Sequence, residues 1–224
     1  MTFSIVARCT DSGRFGVAIS SSSPAVAARC AYARAGVGAV ASQNVTDPRL
    51  GRSTLDAMAA GMDAATAITS VIAATDHSKF RQLLAVDRTG QTAIFSGAST
   101  LGIHAEHHSQ NVVAAGNLLA NDTIPRAMVS AFHKNNGQLG DRLMVAMQAG
   151  LAAGGEASEV HSAGLLIVDQ QDWPLAELRC DWTEDCPIAA ITAAWGIYKP
   201  QMDDYLTRAL NPASAPSYAV PGDQ

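Results

Sequence analysis

Two predicted strands of this chain are apolar on both faces, and this pattern limits the architectures open to it. Residues 37–42 and 163–168 carry small or branched apolar side chains at nearly every position. A strand of this kind has to be covered on both sides, because either face would otherwise expose apolar surface to water. The two strands therefore predict sheets that lie between other layers of the protein.

The remaining predicted elements alternate between paired strands and paired helices. Residues 3–10 alternate apolar and polar side chains, and the turn residues 11–13 lead into a return strand at 15–19. Asp47-Pro48 is a typical helix start, and Gly61 is a typical stop. Further helices are predicted near 65–74, 123–134, 139–153 and from 187 onward, and further strands at 83–86, 92–95, 104–108, 111–116 and 175–180.

Antiparallel hairpins that alternate with helix pairs favour two stacked sheets with helices outside. We therefore predict an α+β fold with four layers, an αββα sandwich. A two-layer α+β fold would require polar residues on one face of 37–42 and of 163–168, and neither segment has them. Residues 1–210 are expected to form a single domain, followed by an irregular arm at 211–224.

Charge and hydropathy exclude several classes of partner. The chain has 15 basic and 20 acidic residues, a net charge of −5, and lacks the basic stripe that nucleic-acid binding needs. It also lacks an apolar run of the ~20 residues that a membrane-spanning helix requires. Ser4 and Arg8 lie where a signal peptide would be apolar, so we expect a cytoplasmic location. The four cysteines are expected to be reduced, and no cofactor or metal is predicted.

Thr2 is the first candidate for chemistry. Methionine aminopeptidase removes Met1 when the next residue is small, and threonine is small enough. Removal would place an α-amine beside the Thr2 hydroxyl, and an amine that titrates near ~7.7 to 8.0 is suited to act as its general base. Many proteins begin with the same dipeptide and do not use it, so the dipeptide alone leaves both interpretations open.

Several segments carry a resemblance that favours the catalytic interpretation. They are the opening MTFSIVAR at 1–8, ARAGVGAVASQ at 33–43, Arg81-Gln82, GNLLA at 116–120 and AGG at 153–155. Over residues 1–180 the chain resembles an uncharacterised bacterial family related to the N-terminal-nucleophile (Ntn) hydrolases, whose members are sometimes mislabelled as fimbrial assembly proteins. The resemblance implies the αββα Ntn fold and implies no substrate, because the family has no assigned reaction.

The resemblance also points to a set of site residues. Asn117 is expected at a strand end, where its amide could donate to a developing oxyanion; a turn residue that bonds its own backbone is the alternative. Gln43 and Asn44 are expected either to contact the substrate or to shape the turn before the helix at Asp47-Pro48. Further candidates for substrate contact are Arg34, which otherwise is a solvated surface residue, and Glu156, His161 and Ser162 after the Gly-Gly pair.

The leading hypothesis is an Ntn-type amidohydrolase that acts on a small amide or acyl compound. We expect a homodimer, with the carboxy-terminal arm packed on its neighbour or folded back on its own chain. A non-catalytic binding or assembly protein on the same fold is the rival, favoured if Met1 is retained and by cationic residues of the family pattern that this chain lacks. A third interpretation is a metal-dependent enzyme, because His104, Glu106 and His108 alternate on one predicted strand.

Overall fold

A computed structural model describes residues 2–218 of the protein. Its strands are β1 Thr2–Arg8, β2 Phe15–Ser21, β3 Ala31–Arg34, β4 Gly38–Asn44, β5 Arg81–Asp87, β6 Thr92–Ser96, β7 Ala105–Ser109, β8 Val112–Asn117, β9 Ser162–Val168 and β10 Ala176–Cys180. Its α-helices are α1 Val26–Cys30, α2 Pro48–Ala59, α3 Ala64–Ala73, α4 Ile124–Lys134, α5 Leu139–Ala152, α6 Pro187–Tyr198 and α7 Met202–Leu210.

The strands form two antiparallel sheets. The larger sheet has the order β10-β9-β2-β1-β8-β7, and the smaller has the order β3-β4-β5-β6. β1 is paired with β2 on one side and with β8 on the other, so the first strand of the chain lies in the interior of its sheet. The arrangement confirms the predicted α+β fold of stacked antiparallel sheets with helices packed around them.

Side chains of β1 divide the core into layers. Phe3 and Ile5 pack in a cluster with residues of α4, α5 and α6. Val6 points the other way and packs with residues of the smaller sheet, including Leu84. The opposite face of that smaller sheet, with Val40, packs against α2 and α3. The four layers follow from this division, since each sheet buries one face against helices and the other face against its partner sheet.

Local sequence signals account for much of this arrangement. The predicted helix start at Asp47 is confirmed: its carboxylate accepts a hydrogen bond from the Arg49 N–H, and Pro48 is the first helical residue.

α1 and β3 were not predicted. α1 has only five residues, and the Val26 N–H at its start is bound by the side chain of Ser162, which is 136 residues away along the chain. No pattern within 20–34 reveals such a contact.

The described residues end shortly after α7. α7 ends at Leu210, and a 3-10 turn follows at Pro212–Ser214. The predicted arm at 211–224 therefore falls partly outside the described residues, as does Met1, whose removal the catalytic hypothesis requires. Within the described range, the longest and most apolar helices fall short of what crossing a membrane demands.

Candidate functional site

Thr2 and Asn117 lie side by side at one end of the larger sheet. Thr2 begins β1, is only 4% exposed, and is the register partner of Asn117 on β8. Opposed residues of antiparallel strands have Cα atoms ~4.5 to 5.5 Å apart and project from the same face. Alternation along β1 puts both on the side of Val6, which faces the smaller sheet. The two predicted catalytic residues are thus neighbours between the sheets.

A buried polar network connects this pair to the smaller sheet. The Ser4 hydroxyl donates to Gln43 Oε1 at 2.7 Å, and Gln43 Nε2 donates to Gln82 Oε1 at 2.8 Å. Asn117 Nδ2 donates to the same Gln82 oxygen at 3.2 Å. All four side chains are inaccessible to solvent. The network therefore crosses from one sheet to the other next to Thr2, in a layer that is otherwise apolar.

The network fixes the orientation of the Asn117 amide. Gln82 Oε1 already accepts two N–H groups, while Gln82 Nε2 is occupied by Ser96 Oγ at 3.0 Å and the Gly116 carbonyl at 3.3 Å. A flipped Asn117 would bring two carbonyl oxygens together, so its nitrogen has to face Gln82. Its Oδ1 is buried and accepts no hydrogen bond from any residue within 2–218.

Glu156 lies at the amino end of β1. Residues 155–157 are joined by backbone hydrogen bonds to residues 118–120, which continue the line of β8 beyond Asn117. On the other side, the Ser22 N–H just after β2 donates to Glu156 Oε2 at 3.1 Å. Since β1 lies between β8 and β2, this segment fills the place that β1 would take if it ran on past Thr2.

The environment of Glu156 is unusual for a carboxyl group. Its side chain is 5% exposed, and Oε1 finds no hydrogen-bond partner in the described part of the chain. Burial raises the pKa of Glu156 to about 7, against the opposing effects of hydrogen bonding to Ser22, of the positive charge of the amino terminus and of His161. A carboxyl group with this pKa exchanges protons near neutrality, which suits proton transfer.

His161 follows Glu156 along the chain and is bound to the end of β2. Its backbone N–H donates to the Ser21 carbonyl at the end of β2, and its ring Nδ1 lies 2.8 Å from the Thr183 carbonyl oxygen. The imidazole stacks on Trp182 with the ring centroids 4.4 Å apart, and half of Trp182 is exposed. The structure therefore gives His161 an exposed aromatic neighbour, which sequence analysis did not identify.

Ser162 has a structural assignment. Its hydroxyl donates to the Ser23 carbonyl at 2.6 Å and accepts from the Val26 N–H at 3.2 Å. Both bonds hold the start of α1 against β9. This differs from the expected substrate contact, since the hydroxyl is buried and already has its donor and acceptor partners.

Arg34, a candidate for substrate contact, does not lie beside Thr2. It ends β3 opposite Gly38, five residues along β4 from Gln43, or about 16 Å at the usual rise of a strand. Its guanidinium forms an exposed ion pair with Asp56 at 2.7 Å. The solvated surface residue, which was the alternative, is what the structure contains.

The side chain of Asn44 also forms its hydrogen bonds outside the buried polar network. It is the last residue of β4 and has a positive φ of 73°, which Asn tolerates better than most residues. Its amide nitrogen donates to the Phe80 carbonyl at 2.6 Å, and its oxygen accepts from the Leu101 N–H at 3.2 Å. Asn44 thus shapes the chain after β4 and connects it to two neighbouring loops.

The residues considered for a metal site do not converge. His104 precedes β7, which is an edge strand and begins at Ala105. Glu106 accepts a hydrogen bond from Ser96 at 3.0 Å, and His108 lies 3.4 Å from the Thr92 hydroxyl. Across residues 2–218 no three His, Cys, Asp or Glu side chains are grouped so as to hold a metal ion. The four cysteines are all free thiols.

Gln82 is a central member of the buried network that sequence analysis did not single out. The predicted strand began at Leu83, whereas β5 begins at Arg81 and includes Gln82. Gln82 shares the alternation of Leu84 and Val86, both of which pack between the sheets. That period of two was the available signal, because it places a glutamine side chain on a face that is buried further along the strand.

Comparisons with known proteins give a family and a close structural likeness. Residues 2–191 match the model of DUF1028, described as a family of unknown function. Protein SPO2555 from Silicibacter pomeroyi, assigned to the same family model, has a TM-score of 0.85 at 27% identity, covering 91% of this chain and 89% of its own. No curated protein matches the sequence.

Two more distant structures also align over most of the chain. Anbu (ancestral beta-subunit) from Yersinia bercovieri has a TM-score of 0.40 at 12% identity, covering 91% of this chain and 97% of that one. The Anbu (Gly-1) mutant from Hyphomicrobium sp. strain MC1 has a TM-score of 0.41 at 9% identity, covering 98% and 100%. Scores at this level carry no argument about fold or chemistry.

Proposed function

The chain belongs to the DUF1028 family of unknown function, and we propose that it is an Ntn-type amidohydrolase whose nucleophile is Thr2 once Met1 has been removed. One observation carries the proposal. Thr2 heads an interior strand directly opposite Asn117, at the point where a buried amide network replaces the apolar core. Buried polar networks cost free energy unless they are fully satisfied, so one placed at a strand end beside a hydroxyl favours a chemical role.

The proposed reaction needs only the hydroxyl and the amine of Thr2. The neutral amine takes the hydroxyl proton while Oγ1 bonds to the carbonyl carbon of the amide, and the carbonyl oxygen gains the negative charge. The amine then gives that proton to the leaving nitrogen as the C–N bond breaks, which leaves an ester on Thr2. Water, activated by the same amine, adds to the ester and releases the acid with Thr2 restored.

Asn117 is proposed to stabilise the oxyanion. Its amide nitrogen carries two hydrogens, and Gln82 takes one of them. The second is available to the carbonyl oxygen of a substrate bound at Thr2. Because Gln82 is itself held by Gln43 and Ser96, the donor does not have to reorient during the reaction, which is the condition for effective electrostatic catalysis.

The substrate is proposed to lie toward Glu156 and His161, away from Gln43. The amide of Gln43 is fully used, since it binds Ser4, Gln82 and the Ala115 carbonyl. We therefore assign Gln43 to positioning Asn117 through Gln82 and no longer to direct substrate contact. The substrate class remains a small amide or acyl compound.

Covalent labelling tests the proposal. A preparation trimmed by co-expressed methionine aminopeptidase is treated with a β-lactone probe, and the labelled tryptic peptide is identified by mass spectrometry. We expect one label on residues 2–8, lost in Thr2→Ala and retained in Thr10→Ala, the exposed threonine just after β1. The chain that keeps Met1 should not react.

Two results would contradict the proposal. Labelling that persists in Thr2→Ala would assign the reactivity to another group, with the Cys9 and Cys30 thiols the first to examine. An intact mass showing that the protein from its own organism retains Met1 would favour the non-catalytic binding or assembly protein on the same fold.

A further inference from the structure

Two buried acceptor atoms without donors flank the start of β1. Four buried side-chain nitrogen or oxygen atoms lack a hydrogen-bond partner within residues 2–218, and the two acceptors among them are Asn117 Oδ1 and Glu156 Oε1. Asn117 is the register partner of Thr2, and Glu156 lies in the segment that continues the line of β1. Both oxygens therefore belong to residues that adjoin the start of β1.

The pairing of β1 with β2 shows where the Glu156 carboxylate lies relative to the start of β1. Phe3 pairs with Ser20, so Ser22 lies beyond the start of β1 on the neighbouring strand. The Ser22 N–H holds Oε2 of Glu156, which fixes the carboxylate between the ends of β2 and β8. The other oxygen, Oε1, is left for a group that arrives at the head of β1.

The chemistry of these atoms calls for a donor that carries positive charge. A buried acceptor without a donor is destabilising, and a buried carboxylate without a cation is more so. His161 is a titratable neighbour, but its Nδ1 is directed at the Thr183 carbonyl, with Glu184 Oε2 next at 3.9 Å. A group with several N–H donors and one positive charge would satisfy both oxygens, and the α-ammonium of a trimmed Thr2 is such a group.

We propose that the Glu156 carboxylate is the partner of the Thr2 α-amine and takes up the proton that the ammonium must lose before the amine can act as a base. This inference rests on the proposed function, because only removal of Met1 creates the amine. At rest the ammonium and the carboxylate form an ion pair; when a substrate is bound, the ammonium transfers one proton to Oε1, which yields a neutral amine and a neutral carboxylic acid. Asn117 Oδ1 accepts one of the remaining amine hydrogens and orients the lone pair.

The free-energy cost of this transfer is small. An α-amine titrates near ~7.7 to 8.0, and burial brings the pKa of Glu156 to about 7, so the proton moves between groups of similar affinity. A substrate that excludes water from the site disfavours the two charges and moves the proton toward Oε1. An exposed glutamate, with its ordinary affinity for protons, would instead leave the amine protonated and inactive as a base.

The test is a direct titration of the Thr2 amine in the trimmed protein. The amine is labelled with isotopic acetic anhydride over a range of pH, and the label on the peptide of residues 2–8 is quantified. Glu156→Gln preserves the shape and an acceptor for Ser22 but removes the charge, so the labelling midpoint should fall by about one pH unit or more. Glu156→Asp, which restores the charge, should move the midpoint back toward that of the wild type.

Glu159→Gln is the matched control, because Glu159 is an exposed acid three residues further along. Its midpoint should equal that of the wild type. An unchanged midpoint in Glu156→Gln would overturn the inference, whatever the β-lactone probe shows. A shifted midpoint together with no β-lactone labelling would leave the Glu156 partnership in place and refute the amidohydrolase proposal instead.

Discussion

Thr2 and Asn117 are separated by 114 intervening residues and are nevertheless direct partners across β1 and β8. Their relative position is set by the backbone hydrogen bonds of two strands, both of them in the sheet interior. A strand pair is more rigid than a loop, so the distance between hydroxyl and amide changes little when either side chain is replaced. Substitutions at the two positions should therefore affect the chemistry more than the geometry.

Replacing the proposed oxyanion donor should slow acylation strongly. We expect Asn117→Ala in the trimmed protein to react with the β-lactone at least ~100-fold more slowly, because one preorganised donor is lost. The measurement is the rate of mass increase. Asn121→Ala removes an amide that binds the Ala153 carbonyl just after the end of α5, and it should lower stability without slowing acylation. Equal rates in Asn117→Ala and wild type would refute the assignment of Asn117.

Gln82 should contribute to stability as well as to the site. Gln82→Leu keeps the volume but leaves Gln43 Nε2, Asn117 Nδ2 and the Gly116 carbonyl without their partner in a buried layer. We expect the free energy of unfolding to fall by about 2 to 4 kcal/mol, measured by urea denaturation. Gln110→Ala, at an exposed glutamine, should stay within about 0.5 kcal/mol. A loss for Gln82→Leu as small as that control would contradict the network's proposed role.

The raised pKa of Glu156 predicts how stability depends on pH. Its ordinary value is 4.5 and its folded value about 7, so between these pH values the folded state binds more protons than the unfolded chain. Stability should therefore fall as pH rises from about 4.5 to 7, by up to about 3 kcal/mol from this group. The measurement is urea unfolding at several pH values on protein that retains Met1, so that no Thr2 amine titrates.

Glu156→Gln should remove this component of the pH dependence, and Glu159→Gln should retain it. If wild type and Glu156→Gln lose stability in parallel over the same pH interval, the carboxyl group is ionised in the folded state throughout, and the proposed exchange of a proton with the amine loses its energetic basis.

Two glycines provide a matched test of helix packing. A Cβ at Gly140 would lie 2.4 Å from the ring of the buried Trp195, which joins α5 to α6. Gly140→Ala should destabilise the protein by about 1 to 3 kcal/mol. A Cβ at Gly196, within α6, meets nothing within 4 Å, and Gly196→Ala should stabilise by about 0.5 to 1 kcal/mol. Thermal unfolding distinguishes the two, and a neutral Gly140→Ala would show that the Trp195 ring relocates freely.

Sequence patterns predicted elements whose cause is local. The hairpin at the start of the chain and the helix at Asp47-Pro48 follow from alternation and from capping, and both are present. Thr2 was selected because removal of Met1 would expose its amine, and Asn117 because of its predicted strand end together with the family resemblance. Their direct pairing required the strand order, which periodicity does not contain.

Features that depend on distant contacts were not predictable. The place of Glu156 depends on the pairing of residues 155–157 with 118–120, where Leu118 adopts a positive φ of 50° that its sequence does not favour. The position of Arg34 has a similar origin. Arg34 forms its exposed ion pair from β3, which directly follows α1, and the start of α1 is bound by Ser162. Composition and spacing near these residues do not indicate such contacts.

The interior position of β1 has a consequence for the timing of biosynthesis. The residue that must become the new amino terminus is nearly inaccessible after the sheet has formed, but its partner strand β8 leaves the ribosome more than 100 residues later. At ~5 to 20 residues per second, the nascent chain stays without that strand for roughly 5 to 20 s. Under the proposed function, Met1 has to be removed within this interval, so the same sheet closure that completes the site also ends the opportunity to activate it.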